Sequence, residues 1–161
     1  MIQEGDLTIR FTKGRDGPNT LSCVRPDGST TWSKVSDFFP VHDLTHYVVE
    51  TTLGLDDAVY GLIRSGWSIS DFESPGAASR TPPGAILAEV MVGPLQREVL
   101  MRHGASAADY NQEVSAAMDG LGQSARRAVT ADEFSTMQSR LRELMSEWKA
   151  LPPGEAIQVH F

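Results

Sequence analysis

From residue 7 the chain alternates. Leu7, Ile9 and Phe11 are separated by Thr8, Arg10 and Thr12, the period of a strand with one buried face. GRDGPN at 14–19 is turn chemistry, and Leu21 and Cys23 then share a face of a second strand. RPDGS at 25–29 sets Pro-Asp-Gly where a hairpin needs it. Thr30 to Val35, with Trp32, returns as a third strand. Residues 1–35 are thus expected to hold an antiparallel β-meander.

After residue 37 the period lengthens. Leu44, Tyr47, Val48, Thr51 and Leu55 recur at helical spacing and predict a helix over 41–53, with Gly54 as its C′ residue. Asp56 is placed to cap a second helix to about Arg64, with Leu55 and Tyr60 as a staple and Gly66 beyond its end. Residues 73–85, ESPGAASRTPPGA, read as a loop. Trp67 and Phe72 ahead of it are expected to pack that loop onto the core, with a pocket wall as the other reading. A helix over 86–103 carries Gly93-Pro94, where a kink or break is expected because proline lacks an amide donor. Ser106 with Asp109, and Thr130 with Glu133, have capping-box spacing and open two further helices.

In the last helix Phe134, Met137, Leu141, Leu144, Met145 and Trp148 form an apolar stripe. Pro152-Pro153-Gly154 ends it. EAIQVHF at 155–161 alternates again, and a lone strand must find a sheet to satisfy its backbone groups. The expectation is an α+β fold in one domain over 1–161. Its parts are an N-terminal antiparallel β-meander joined by the C-terminal strand, a helical layer of about five helices over 37–150, and the 73–85 loop.

Composition changes this picture little. The 161 residues are 40% hydrophobic and 22% charged, an ordinary globular balance. Net charge is −7 and the 14 basic residues are scattered, which argues against nucleic acid as a partner. No apolar run approaches the roughly 18 residues of a membrane span, and the N-terminus lacks a basic and an apolar leader region. Cys23 is the sole cysteine, so no internal disulfide forms. These features lead us to expect a soluble cytoplasmic protein without a membrane partner. A small molecule or a peptide remains as the possible ligand class, and the oligomeric state is open.

The candidate chemistry lies in VHDLTHYVVE, residues 41–50. Histidines at 42 and 46 are one helical turn apart and can chelate one ion. With Leu44 at zero on a helical wheel, His42, Asp43, His46 and Glu50 fall between about 160° and 260°, away from the main apolar stripe. That arc could face water. Against this, Val49 and Leu53 lie on the same side, and Phe38-Phe39-Pro40 leads into the helix. A helix apolar on both sides is mostly buried. Buried histidines then need a partner: a metal, a carboxylate or a backbone carbonyl.

Glu50 lies about 12 Å along the axis from His42 on a straight helix. It is better suited to orient His46 than to join both histidines on one ion, although it is carried as an additional ligand candidate. A third ligand must come from elsewhere, and Glu89, His103, Cys23 and His160 are the candidates. Each has a plainer reading too: Cys23 as a core thiol, His103 at a helix C-terminus, His160 exposed on the last strand or covering a sheet edge. Asp43 could be a helix N-cap, which would put His42 outside the helix.

HDLTH resembles the HExxH motif of zinc metallopeptidases, which implies His42 and His46 as ligands of zinc or another divalent metal. The resemblance makes Asp43, in place of the motif's Glu, the catalytic base. The acid is one methylene shorter, and YVVETTLG after His46 brings no third histidine. FFPVHDLTHYVVETTLG also resembles a stretch of uncharacterised bacterial proteins, which implies no established chemistry.

Two functions therefore compete. One is a small metal-binding protein, a zinc-dependent hydrolase in its sharpest form, with 73–85 as a lid. The other is a non-enzymatic ligand-binding or protein-interaction module whose His/Asp/Glu cluster is a structural polar core. Ring nitrogens of His42 and His46 converging on one point favour the first. If they diverge, or if each is satisfied by a protein group, the first reading fails.

Overall fold

The computed structural model describes residues 4–36 and 39–161. Three strands open the chain: β1 (Thr8–Thr12), β2 (Asn19–Val24) and β3 (Thr30–Val35). Six helices follow: α1 (Phe39–Leu53), α2 (Val59–Arg64), α3 (Ala77–Arg80), α4 (Pro83–Met101), α5 (Ala107–Gly120) and α6 (Ala131–Ala150). A 3-10 turn, Ile69–Phe72, lies between α2 and α3, and β4 (Ala156–His160) closes the chain. This is the expected α+β architecture.

The sheet is antiparallel throughout in the order β3-β2-β1-β4, so the C-terminal strand joins the meander at its free β1 edge. Its register carries the alternation of the sequence across strands. Ile9 faces Cys23 on one side and Val159 on the other; Phe11 faces Leu21 and Ile157. Leu7, Ile9, Phe11, Leu21, Cys23 and Ile157 are buried against the helical layer. β3 differs: its inward positions are Thr31, Ser33 and Val35, while Trp32 points outward at 62% exposure. Small inward side chains on this edge strand leave space between β3 and the helices.

α1 crosses the core and packs on α4 and α6. The Tyr47 hydroxyl ties it to β4 by donating to the His160 carbonyl at 3.1 Å. Arg140 of α6 donates to Thr51 and Thr52 at its far end. Gly54 ends α1 at φ +66°, a left-handed conformation that favours glycine, as its place in the pattern predicts. Both predicted capping boxes are formed, at Ser106 with Asp109 and at Thr130 with Glu133.

Several local expectations are corrected. The N-cap of α2 is Ala58, without a side-chain cap; Asp56 instead pairs with Arg64 at 3.3 Å. Residues 73–85 are not simply a loop, because α3 and the first turn of α4 lie within them. α4 starts at Pro83, where proline's missing donor is harmless, and runs unbroken through Gly93-Pro94. Pro94 gives up one helical bond, but α4 is buried along Leu87, Ala88, Met91, Val92, Leu95 and Val99, and that packing holds the helix together. Phe38 lies outside the described residues, so the apolar lead-in through Phe38-Phe39 does too. No helix among the described residues is long and apolar enough to cross a membrane.

Candidate metal centre

α1 begins at Phe39, so His42, Asp43, His46 and Glu50 all lie inside it. The N-cap alternative for Asp43 is thereby overturned, and His42 and His46 have true one-turn geometry, their ring centroids 4.8 Å apart. The arc turns inward at its C-terminal half: His46 is 3% exposed and Glu50 is fully buried, because α4 and α2 pack against α1, while the His42 side chain stays 34% exposed.

Glu89 is the third member. Its carboxylate reaches across from α4, with Oε2 2.7 Å from His46 Nε2 and Oε1 3.5 Å from His42 Nε2. One ligand atom from each of His42, His46 and Glu89 lies within 4.8 Å of the others. A tetrahedral ion about 2.1 Å from each donor holds them roughly 3.4 Å apart. The His42–Glu89 spacing is already of that size. The shorter His46–Glu89 contact is a hydrogen bond, which an ion would open.

Glu50 stands behind this trio. Its Oε2 is 3.1 Å from His46 Nδ1, and its Oε1 accepts the Tyr60 amide at 2.9 Å. Both oxygens are engaged, so Glu50 is not a further ligand here; it fixes the His46 ring and satisfies the first turn of α2, which has no side-chain cap. The Tyr60 hydroxyl closes the same joint by donating to the Asp43 carbonyl at 2.8 Å. Cys23, His103 and His160 do not join the group. Cys23 is a core residue whose thiol is pushed up to about 12 by burial and by Asp43, which rules out a ready thiolate. His103 follows the left-handed C-cap Arg102 and is exposed. His160 is half-buried instead of exposed, with Nδ1 3.3 Å from the Thr8 hydroxyl.

The electrostatics follow from burial and pairing. Burial opposes charge on His46, but hydrogen bonds to Glu50 and Glu89 outweigh it and lift its pKa to about 10. Without metal, the two carboxylates therefore favour the imidazolium form of His46. Hydrogen bonds from His42 and His46 hold Glu89 well below the usual carboxylate range. Burial raises Asp43 to about 6, against the pull of the two histidines. Burial raises Glu50 as well.

Each bonded ring nitrogen of His46 therefore has a protein partner, which the polar-core reading requires. Yet the partner at Nε2 is Glu89, itself a candidate ligand, and both Nε2 atoms converge on its one carboxylate. Protein satisfaction does not separate the two readings when the satisfying group completes the ligand set.

A cavity of about 490 Å³ opens beside the trio, and His42, Asp43, His46 and Glu89 form one wall of it. Small residues on β3 make the space, and Ile69 and Phe72 of the 3-10 turn close its side. Phe72 thus lines a pocket as well as packing on Trp67, whose ring lies 5.1 Å away. The sequence pattern does not foretell this cavity. It does carry a signal for Glu89, which is the single charged residue between positions 82 and 96. A carboxylate alone on so apolar a helix needs a partner. No protein-family model, no curated protein and no solved structure matches the chain.

Proposed function

We propose that the protein binds a divalent metal, zinc by donor type, through His42, His46 and Glu89, and uses it hydrolytically. The observation that carries this is the convergence of two imidazole nitrogens and one carboxylate on the wall of a cavity. Two imidazoles and one carboxylate are a donor set of catalytic zinc centres, which keep a fourth position for water. Bound zinc lowers the pKa of such a water to about 7. Glu50 would hold His46 in the tautomer that presents Nε2 to the ion. Asp43, on the same wall, would accept the water's proton.

The test is zinc stoichiometry after incubation and desalting, on the wild-type chain and on His42→Ala, His46→Ala and Glu89→Gln. About one zinc per chain, lost in the variants while circular dichroism is unchanged, is the expected result. Glu89 is 60% exposed, so its variant keeps the test open if the histidine variants unfold. Zinc retention that is absent from the wild type, or equal in all four proteins, overturns the proposal.

The second reading, a non-enzymatic binding or interaction module, is favoured by the complete pairing of His46. It expects no zinc retention and a fold that fails when Glu50 or His46 is lost.

A further inference from the structure

We infer that the ligand taken by this centre is a compact, uncharged carbonyl compound with an apolar body, an amide or ester of an aliphatic or aromatic acid. The inference rests on the metal-centre proposal and names its substrate class. It follows from the cavity. Away from the histidine wall the lining is mostly apolar, with Leu21, Val35, Ile63, Phe72, Ile86 and Val90 contributed by five different segments, and Ser33, Ser36 and Thr81 adding hydroxyls. An apolar pocket with a few polar groups gathered on one side fits a ligand with one polar end. At about 490 Å³ there is room for about 16 groups of water size, taking about 30 Å³ each. That suits a medium-chain acyl or a one-ring aryl group.

Charge selects the head group. Among the described residues, Asp43, Glu73 and Glu89 line the cavity against a single lysine, Lys34. Glu50 adds a fourth carboxylate behind His46. Even with the two charges of a bound zinc added to Lys34, a phosphorylated or dicarboxylic ligand would meet four carboxylates against three positive charges, and a sugar would set most of its hydroxyls against a largely apolar lining in which Ser33, Ser36 and Thr81 offer few partners. A neutral carbonyl escapes both penalties, and its oxygen is the atom a Lewis acid at the trio would polarise.

The probes are hydroxamates, which chelate zinc through a small head group that gives up one proton on binding and is common to all three. Calorimetry on the zinc-loaded full chain would compare acetohydroxamate, octanohydroxamate and the monohydroxamate of suberic acid, which adds a terminal carboxylate. Burial of each methylene is expected to tighten binding about fourfold, so octanohydroxamate should bind at least about 100-fold tighter than acetohydroxamate. The carboxylate-tipped analogue should lose most of that gain. Val90→Phe, and Ala78→Trp at an exposed position on the cavity wall, should cut the chain-length gain at least tenfold while leaving zinc stoichiometry and acetohydroxamate affinity unchanged. Equal affinity for all three probes on zinc-loaded protein overturns the inference, as does a chain-length gain untouched by both variants. If the wild type takes up no zinc, the metal-centre proposal fails separately. 1-Octanol binding, blocked by Ala78→Trp, then decides whether the cavity accepts an apolar body by itself.

Discussion

At the scale of single residues, the site is built on one buried imidazole. His46 has Glu50 on one nitrogen and Glu89 on the other, and each contact constrains what a substitution does. Glu50→Ala removes the buried carboxylate and leaves an imidazolium with one exposed partner. Breaking a buried pair from one side costs about 3–5 kcal/mol, so urea unfolding of the metal-free variant should show a loss of that size. A loss under about 1 kcal/mol would mean that His46 stays neutral and that the pairing carries no charge. In the zinc-loaded protein, Glu50→Gln should weaken affinity by about 10–100-fold, the usual effect of removing the group that orients a ligating histidine. Competition with a chromophoric chelator measures it. Much of this residue scale was open to reading. The histidine spacing, the role of Glu50 toward His46 and the candidacy of Glu89 follow from residue types and helical period. Ranking Glu89 above Cys23, His103 and His160 had one local signal, its isolation as the lone charge on an apolar stretch, which says that it needs a partner but not which one.

At the scale of elements, caps and breakers behave as local chemistry dictates, with exceptions where packing intervenes. Thr130 accepts the Glu133 amide, and Glu133 accepts the Thr130 amide while pairing with Arg127. Thr130→Ala should cost about 1 kcal/mol in urea unfolding. The hydrogen bond to Arg127 and that to the Thr130 amide lower the Glu133 pKa from 4.5 to about 2. A depressed carboxylate contributes stability that is complete above its unfolded pKa and fades as pH falls through the folded value. The Arg127–Glu133 cap should therefore weaken between pH 4.5 and about 2, and Glu133→Gln should flatten the stability profile within that window. Gly93 lies exposed in the middle of α4, directly before Pro94, whose ring disfavours the helical region for a preceding residue with a Cβ. α4 also shows why the break expected at Gly93-Pro94 is absent. The propensity of two residues is set against a buried face that runs the length of the helix. Asp56 is the opposite case. Its spacing suits a cap, but α2 is short and starts later, where the Glu50 carboxylate already meets the Tyr60 amide.

At the scale of the whole molecule, the centre bridges α1, α2 and α4, and the cavity extends it to β2, β3 and the 3-10 turn. A metal bound there would link elements far apart in the chain and shift unfolding by mass action. At a free zinc concentration 100 times the dissociation constant, the stabilisation is about 2.7 kcal/mol. For a chain of this length that amounts to about 5–10 °C in Tm. Differential scanning calorimetry with zinc, and again after chelator, should show that rise and its reversal. An unchanged Tm in saturating zinc would favour the polar-core reading.

What the chain determined by itself is everything written in short-range pattern. The alternation of Leu7, Ile9 and Phe11, the two capping boxes, the Gly54 terminus and the helical spacing of His42, His46 and Glu50 each depend on residues a few positions apart. Even the C-terminal strand was legible, since an isolated alternating segment must pair with a sheet. Tertiary structure alone decided the rest. Glu89 meets His46 across 43 residues of chain, and the Tyr60 amide meets Glu50 only because α2 folds back on α1. The cavity exists because the small inward residues of edge strand β3 face helices placed by the packing of other residues. Local pattern records which face of an element is apolar, but which two faces meet depends on how the whole core closes, and a polar site between elements is a product of that closure.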